Sequence, residues 1–302
     1  MSELPAKKKT DPFKLSFVVA GFSKCGTSTL CSMLSQHPRI AFSNPKEPLF
    51  FNIEDFENHW DTYYSAFPPP DEQRIFGEGT TFYSEHTTER KTRDAILRYF
   101  PDIKLIFVAR DPFRRIESSY REFHHSGALF GIHAPVGIDN ALAALPALVE
   151  DSKYWSRINC YRAKIPDEHI LVIFLEDLIR DPSHELKRCF THLDIESDVS
   201  MDILLRLNAG EQKFYDSILL RLMRNNRLID RLISKVSAEK QNRFFEKIKL
   251  RRRFNKPIIW DASSTEYVTE NLSQDIHQFL RFYGKPKNYW PRFAMKTSRD
   301  CD

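Results

Sequence analysis

The chain lacks the segments that direct many proteins to membranes or out of the cell. It contains no run of about 18 apolar residues, the length that a membrane-spanning helix needs. The lysines of residues 1–9 are not followed by an apolar segment, so no secretory signal is recognisable. The cysteines are odd in number and lack paired metal-ligand spacing: Cys25, Cys31, Cys160, Cys189 and Cys301. These absences favour a reduced, cytoplasmic chain with no membrane partner and no metal.

Negative charge is scarce in one segment. The net charge is only +4, but residues 213–256 hold fourteen Lys or Arg against four Asp or Glu. Such a segment is typical of a solvated helix face or of a cleft wall for an anionic ligand. No recognised nucleic-acid motif accompanies it, so we expect no nucleic-acid partner. A non-catalytic anion or nucleic-acid binder remains an alternative.

One stretch near the N-terminus combines a strand, a polar loop and a helix. Residues 17–20 are apolar and lead into Gly21, and apolar residues at helical spacing follow from Leu30. The N–H groups and the positive dipole end of a starting helix point at one spot, which suits a phosphate or sulfate. An ordinary strand-to-helix turn is the alternative.

The residues of this loop suit an anion. Gly26 lets the backbone approach a ligand closely, and Lys24 adds a positive charge. Thr27, Ser28 and Thr29 offer hydroxyls that can also cap the helix. Cys25 is expected to be a small filler residue rather than a reactive thiol, since no partner base is evident nearby.

The loop lacks the residues that a nucleotide triphosphate requires. The spacing of Gly21 and Gly26 matches a P-loop, but Thr27 stands where such a loop has lysine, and Lys24 precedes the second glycine. We therefore predict an anion site that works without a metal. A P-loop-type small-molecule kinase is kept as the alternative.

Buried strands alternate with helices along the chain. Residues 103–109 and 170–174 are nearly unbroken apolar runs, as expected of parallel strands covered on both faces. The alternation predicts an α/β fold, a three-layer sandwich around a central parallel sheet. No repeat or linker is recognisable, so we predict one domain over residues 15–291. Flexible tails would occupy 1–14 and 292–302, and a basic helical segment, 207–260, would pack over the site.

Two further positions are candidates for chemistry. Arg110 follows the carboxyl end of a strand, where open α/β sheets bind ligands, and Ser118 lies two turns into the next helix. Glu47 lies on a loop stiffened by prolines, and a rigid carboxylate is what a general base needs. The simpler interpretations are an Arg110–Asp111 pair and surface positions for Ser118 and Glu47.

Three stretches, in this order, resemble the sulfotransferases that use 3′-phosphoadenosine 5′-phosphosulfate (PAPS), in their bacterial and heparan-sulfate-like branch. Residues 22–30 resemble the 5′-phosphosulfate loop of that family. Residues 46–51 resemble the loop that carries its catalytic glutamate. Residues 107–120, with Arg110, Arg115, Ser118 and Tyr120, are similar to its 3′-phosphate motif. The resemblance implies a P-loop-like sulfotransferase fold with about five parallel strands.

The resemblance also implies roles for the candidate residues. The donor-binding residues would be Lys24, Cys25, Gly26, Thr27, Ser28, Thr29, Arg110 and Ser118. Lys24 would stabilise the leaving phosphate, and Glu47 would take the proton from a hydroxyl or amine of a small metabolite or sugar. The sulfuryl group would move by in-line displacement without a metal, leaving adenosine 3′,5′-bisphosphate.

The chain departs from the family at two places. Many relatives carry Lys or Pro around Gly79-Thr80, where this chain has neither, which weakens a catalytic role for that turn. The late loop over the 3′-phosphate has no clear copy, and the candidates to replace it are Arg251, Arg252, Arg253 and Lys256. Candidate histidines that would assist catalysis are His86, His124 and His125. The sequence identifies neither the acceptor nor the oligomeric state.

Overall fold

The computed structural model describes residues 13–127, 131–132, 134–197, 214–216, 220, 238–253 and 257–294. The chain divides into two compact units. The sheet unit comprises residues 1–111, 153–207 and 272–302, and the helical unit comprises residues 112–152 and 208–271. Most of both predicted tails, most of the basic segment and Lys256 lie outside the described residues. The single domain over 15–291 stays a prediction.

Five parallel strands form the centre of the sheet unit. They are β1 (Leu15–Gly21), β2 (Ile40–Phe42), β3 (Ile75–Glu78), β4 (Lys104–Ala109) and β5 (Ile170–Phe174). Their order is β2-β3-β1-β4-β5, with every neighbouring pair parallel. Strands β1 and β4 are buried at all positions but one each, because their apolar runs are covered on both faces. The predicted parallel sheet of about five strands is confirmed.

The helices alternate with these strands, as the sequence predicts. In chain order they are α1 (Thr27–Leu34), α2 (Trp60–Ser65), α3 (Glu89–Tyr99), α4 (Pro112–His125), α5 (Ile138–Ala144), α6 (Ala147–Glu150), α7 (Tyr154–Arg162), α8 (Leu175–Arg180), α9 (Pro182–His192), α10 (Ala238–Lys247) and α11 (Ala262–Phe282). Helix α9 begins at a proline, and the Asp181 side chain caps it by accepting from the His184 N–H at 3.0 Å. Gly284, at φ +67°, follows the end of α11. Among the described helices, none is both long and apolar enough to cross a membrane.

Aromatic residues between Phe56 and Phe67 contribute to the core of the sheet unit. A 3₁₀ turn over Phe56–Asn58 precedes α2, and Phe56, Tyr63 and Phe67 are buried. The rings of Phe50 and Tyr63 stack with centroids 4.2 Å apart. These aromatics therefore support the loop that carries Glu47.

The helical unit is held by side chains of α4. Arg115, which is 2% exposed, donates to the Leu148 carbonyl at 3.2 Å and to Ser152 Oγ at 2.9 Å. Trp260 Nε1 donates to Glu117 Oε1 at 2.9 Å. A short antiparallel pair, β6 (Phe214–Asp216) with β7 (Arg251–Arg253), belongs to the same unit.

A buried aspartate fastens the start of α7 to α11 inside the sheet unit. Asp275 accepts from the backbone N–H groups of Trp155 and Ser156, both at 2.8 Å, and from Ser156 Oγ at 2.6 Å. The first N–H groups of a helix have no partner within the helix. Asp275 thus caps α7 from 119 residues away.

Replacing Asp275 with alanine should lower the free energy of unfolding by about 2 kcal/mol, because two N–H groups at a helix start and one hydroxyl lose their acceptor. Urea unfolding followed by circular dichroism measures the change. Asp275→Asn keeps one acceptor oxygen and should lose less. The control Glu270→Ala, at an exposed position of α11, should stay within about 0.5 kcal/mol of the wild type. Equal stabilities of Asp275→Ala and Glu270→Ala would contradict this role.

Candidate active site

The predicted site residues of the sheet unit follow the carboxyl ends of adjacent strands. The loop with Lys24 follows β1, the loop with Glu47 follows β2, and Arg110 follows β4. Because β2, β3, β1 and β4 are parallel neighbours, these ends meet at one edge of the sheet. The sheet topology thereby gathers Lys24, Glu47 and Arg110 along that edge.

The loop after β1 turns into α1 at a glycine. Gly26 is the N-cap of α1 with φ +94°, a left-handed conformation that favours glycine. A Cβ atom there would also lie 2.6 Å from Leu175 Cδ1. The N-cap residue of α1 is therefore a glycine, and not one of the hydroxyl residues Thr27, Ser28 and Thr29 that the sequence offered for a cap.

Some backbone amides at the start of α1 donate within the helix, and others face outward from its first turn. The Thr29 N–H donates to the Gly26 carbonyl at 3.0 Å, so the donors that the loop offers an anion are the amides of Gly26, Thr27 and Ser28. The side chains of Thr27 and Thr29 are buried, whereas Ser28 is exposed. Ser28 is therefore the hydroxyl that is most accessible to a ligand.

The loop is attached to the end of β4. Arg110 Nη1 lies 3.5 Å from the Lys24 carbonyl oxygen, and the Tyr154 hydroxyl donates to the Arg110 carbonyl at 2.8 Å. Cys25 is fully buried, with its Sγ 3.3 Å from the same hydroxyl. These contacts hold two cationic side chains, Lys24 and Arg110, on adjoining segments.

Glu47 lies on a loop that is held from both sides. The carbonyl of the preceding residue, Lys46, accepts from the Gly79 N–H at 2.9 Å and from Ser43 Oγ at 3.1 Å. The Glu47 side chain is 30% exposed, with Oε1 2.6 Å from Lys46 Nζ and Oε2 3.4 Å from Thr81 Oγ1. Phe50, behind it, is buried. The carboxylate is thus accessible to solvent and yet fixed in place.

One side chain connects the Glu47 loop with the anion loop. Lys46 Nζ contacts Glu47 Oε1 at 2.6 Å and lies 3.5 Å from Thr27 Oγ1, at the first turn of α1. The contacts therefore run from Glu47 through Lys46 to Thr27. A carboxylate, an ammonium group and a helix start lie within reach of one another, which is an arrangement suited to moving a proton beside an anion.

A buried carboxyl group next to this loop was missed from the sequence, where Gly77-Glu78-Gly79 indicates only a turn. Glu78 ends β3 and is fully buried. It accepts from Tyr63 OH at 2.8 Å, from Thr80 Oγ1 at 2.5 Å and from Tyr83 OH at 3.1 Å. Burial raises the pKa of Glu78 to about 7, although the three hydroxyl donors act in the opposite direction. A signal that could have found it is a carboxylate that ends a strand just before two threonines.

Ser118 and the candidate late basic residues belong to the helical unit. Ser118 lies half-buried on α4. Arg251 is 4% exposed and donates to the His125 carbonyl at 3.2 Å. Arg252 and Arg253 lie on β7, but their side chains are outside the described part, as is Lys256. Which basic residue would contact a 3′-phosphate stays a prediction.

The candidate histidines also have defined surroundings. His124 is buried, with its Nε2 3.2 Å from the Pro135 carbonyl oxygen, and His86 is half-buried. In the part of the chain that the structure describes, no three His, Cys, Asp or Glu side chains are grouped to hold a metal ion.

Comparison with known proteins agrees with this fold. The model of the sulfotransferase family matches residues 51–199. The membrane-associated sulfotransferase kil1 of Dictyostelium discoideum is 32% identical over 117 residues, covering 37% of this chain and 23% of that protein. The human bifunctional heparan sulfate N-deacetylase/N-sulfotransferase 3 is 31% identical over 229 residues, covering 70% of this chain and 25% of that protein.

A solved structure shares the architecture. The crystal structure of a sulfotransferase from Alicyclobacillus acidocaldarius aligns with a TM-score of 0.55 at 24% identity, covering 65% of this chain and 87% of that one. Together with the family match, it shows the P-loop-like sulfotransferase fold.

The chain belongs to the sulfotransferase family. It spans about a quarter of the length of the two curated relatives named above. The family match begins at residue 51, downstream of Lys24 and Glu47. The roles of these two residues therefore rest on their geometry and on the sequence motifs, and not on the matched region.

Replacing Glu78 with glutamine should change how stability depends on pH. A folded-state pKa of about 7 means that folding favours the protonated carboxyl group. The contribution of this carboxyl group to folded-state stability is fully present below the unfolded-state pKa of about 4.5. It is lost as the pH rises to 7, which lowers the stability of the wild type by on the order of 3 kcal/mol. Glutamine does not ionise, so the stability of Glu78→Gln relative to the wild type should rise between pH 4.5 and 7.

Urea unfolding at several pH values measures this difference. Glu72→Gln, which changes an exposed carboxylate nearby in sequence, should follow the wild-type curve. If the curves of Glu78→Gln and the wild type run parallel over this pH range, Glu78 does not titrate as described.

Proposed function

We propose that this chain transfers the sulfuryl group of PAPS to a hydroxyl or amine of a small-molecule or sugar acceptor. The observation that carries the proposal is a carboxylate, Glu47, held next to a helix-start anion loop that has Lys24 in place of the Gly-Lys-Ser/Thr sequence of triphosphate loops. Membership of the sulfotransferase family supports it.

The residues of the sheet unit fit a donor that carries phosphate groups at its 5′ and 3′ positions. The amides of Gly26, Thr27 and Ser28 would hold the 5′-phosphate at the helix start, with the Ser28 hydroxyl adding a donor. Arg110, on the adjoining strand end, would hold the 3′-phosphate, since its planar guanidinium matches phosphate oxygens.

The reaction follows from these placements. The acceptor oxygen or nitrogen attacks sulfur in line with the bond between sulfur and the bridging phosphate oxygen. The new bond to sulfur forms as that bond breaks, Glu47 receives the acceptor proton, and the electron pair stays on the 5′-phosphate. Lys24 would stabilise the charge that develops on this oxygen, because a fixed cation aimed at developing charge lowers the barrier. Adenosine 3′,5′-bisphosphate leaves as the second product.

The nature of the acceptor is proposed from the sequence. A small metabolite or sugar in the cytoplasm is the acceptor that we favour. The human relative is a heparan sulfate enzyme and the Dictyostelium relative is membrane-associated, so a polysaccharide acceptor is the main competitor. A kinase acting through Mg²⁺ and a triphosphate is the second candidate, favoured only by the spacing of Gly21 and Gly26.

Replacing Glu47 with glutamine should remove most of the transfer activity. Glutamine keeps the shape of the side chain but cannot accept the acceptor proton, so kcat should fall by about 10²–10⁴-fold. Transfer of radiolabelled sulfur from PAPS to a panel of hydroxyl and amine acceptors measures kcat. The affinity for adenosine 3′,5′-bisphosphate, measured by titration calorimetry, should stay near the wild-type value.

Glu54→Gln is the matched control, since Glu54 is exposed a few residues along the same loop. Its kcat should equal that of the wild type. Undiminished transfer by Glu47→Gln would rule out Glu47 as the base and direct attention to His86.

A further inference from the structure

We propose that Lys46 is a further catalytic residue, whose ammonium group binds the sulfuryl oxygens of the bound donor. The inference rests on the proposed function and extends it. The ammonium lies between the general base and the anion loop, 2.6 Å from Glu47 Oε1 and 3.5 Å from Thr27 Oγ1. A sulfuryl group that is carried on a 5′-phosphate at this loop would lie on the side of Lys46 that faces Thr27.

The backbone of Lys46 is fixed. Its carbonyl accepts two hydrogen bonds, from the Gly79 N–H at 2.9 Å and from Ser43 Oγ at 3.1 Å. A lysine on a mobile loop would lose several rotatable bonds of freedom on binding a ligand. The backbone of Lys46 is already ordered in the free protein, so binding a ligand requires a smaller further loss of conformational entropy.

The stem of Lys46 passes over Gly79, where a side chain would obstruct it. A Cβ atom at position 79 would lie 3.1 Å from Lys46 Cγ and 3.3 Å from Lys46 Cδ, and 2.8 Å from Cys31 Sγ. Real Cβ atoms rarely tolerate such distances, so either the stem or Cys31 would have to shift. The glycine therefore permits the course that brings the ammonium to Glu47 and Thr27.

The change of charge during transfer explains why the Lys46 ammonium lies between Glu47 and the start of α1. Without a donor, the Glu47 carboxylate is the negative partner of Lys46. During transfer the carboxylate receives the acceptor proton and loses its charge, while negative charge remains on the sulfuryl oxygens. In the donor complex the ammonium therefore contacts both the carboxylate and the sulfuryl oxygens, and once the carboxylate is neutral the sulfuryl oxygens are its remaining negative partner. The interaction with the sulfuryl group is thus present in the ground state and strengthens in the transition state.

The competing interpretation is a partly exposed ion pair without a functional role. The side chains of Lys46 and Glu47 are 25% and 30% exposed, and ion pairs near the surface contribute little to stability. The two interpretations differ in what they predict for ligands that have or lack the sulfuryl group. PAPS carries this group, whereas adenosine 3′,5′-bisphosphate has the same phosphates without it.

The experiment compares the Kd values of PAPS and of adenosine 3′,5′-bisphosphate by titration calorimetry, which requires no acceptor. In Lys46→Met the affinity for PAPS should fall about tenfold or more, through loss of a charged hydrogen bond. The affinity for the bisphosphate should not change. Lys46→Arg should recover part of the loss, because it keeps the charge. Gly79→Ala, which displaces the stem without removing the charge, should shift PAPS binding in the same direction.

Lys104→Met is the matched control, since Lys104 also pairs with a carboxylate, Asp194, but lies at the opposite end of β4. It should leave both affinities unchanged. Equal affinities of Lys46→Met and the wild type for PAPS would overturn the inference. So would a parallel loss of affinity for both ligands, which is what a structural role predicts. A wild type that binds neither ligand would overturn the proposed function as well, so the two failures are distinguishable.

Discussion

The left-handed turn at Gly26 is the constraint on which the candidate site depends. At φ +94° and with Leu175 at the place of a Cβ atom, only glycine fits there without strain. The turn starts α1 directly at the carboxyl end of the central strand and directs the first amides of the helix outward. Thr27, at that start, is the point that Lys46 reaches from the neighbouring loop. A chain that could not turn at Gly26 would lose both the anion donors and the contact with the Glu47 loop.

A network of hydroxyl groups supports the other half of the site. Glu78 accepts from Thr80 and Tyr83, and the Tyr83 hydroxyl in turn accepts from the Phe51 N–H at 3.3 Å. The next residue after Thr80, Thr81, reaches Glu47 at 3.4 Å. A buried carboxyl group without such partners would cost several kcal/mol, which its own hydrogen bonds offset here. The network thus links an interior group to the position of the exposed carboxylate.

The sequence predicted the features that depend on local pattern. The apolar runs of β1 and β4, the loop before α1 and the proline-flanked Glu47 are all readable from neighbouring residues, and the parallel sheet follows from their alternation. The contacts that the sequence did not predict depend on how distant segments of the chain pack together. The hydroxyl partners of Glu78 and the reach of Lys46 to Thr27 join residues that are not neighbours in sequence. The N-cap residue of α1 was not predicted, because it is a left-handed glycine, whose conformation no hydroxyl pattern reveals.

We propose that the sheet edge around Gly26 and Arg110 binds a nucleotide with a 3′-phosphate and needs no metal to do so. Titration calorimetry of the wild-type protein with adenosine 3′,5′-bisphosphate in the presence of a chelator, and separately with ATP and Mg²⁺, tests it most directly. We predict binding of the bisphosphate in the chelator, weakened strongly in Arg110→Ala, and no comparable binding of ATP with Mg²⁺. Binding of ATP with Mg²⁺ in the absence of any binding of the bisphosphate would contradict a PAPS site at this edge and favour a kinase.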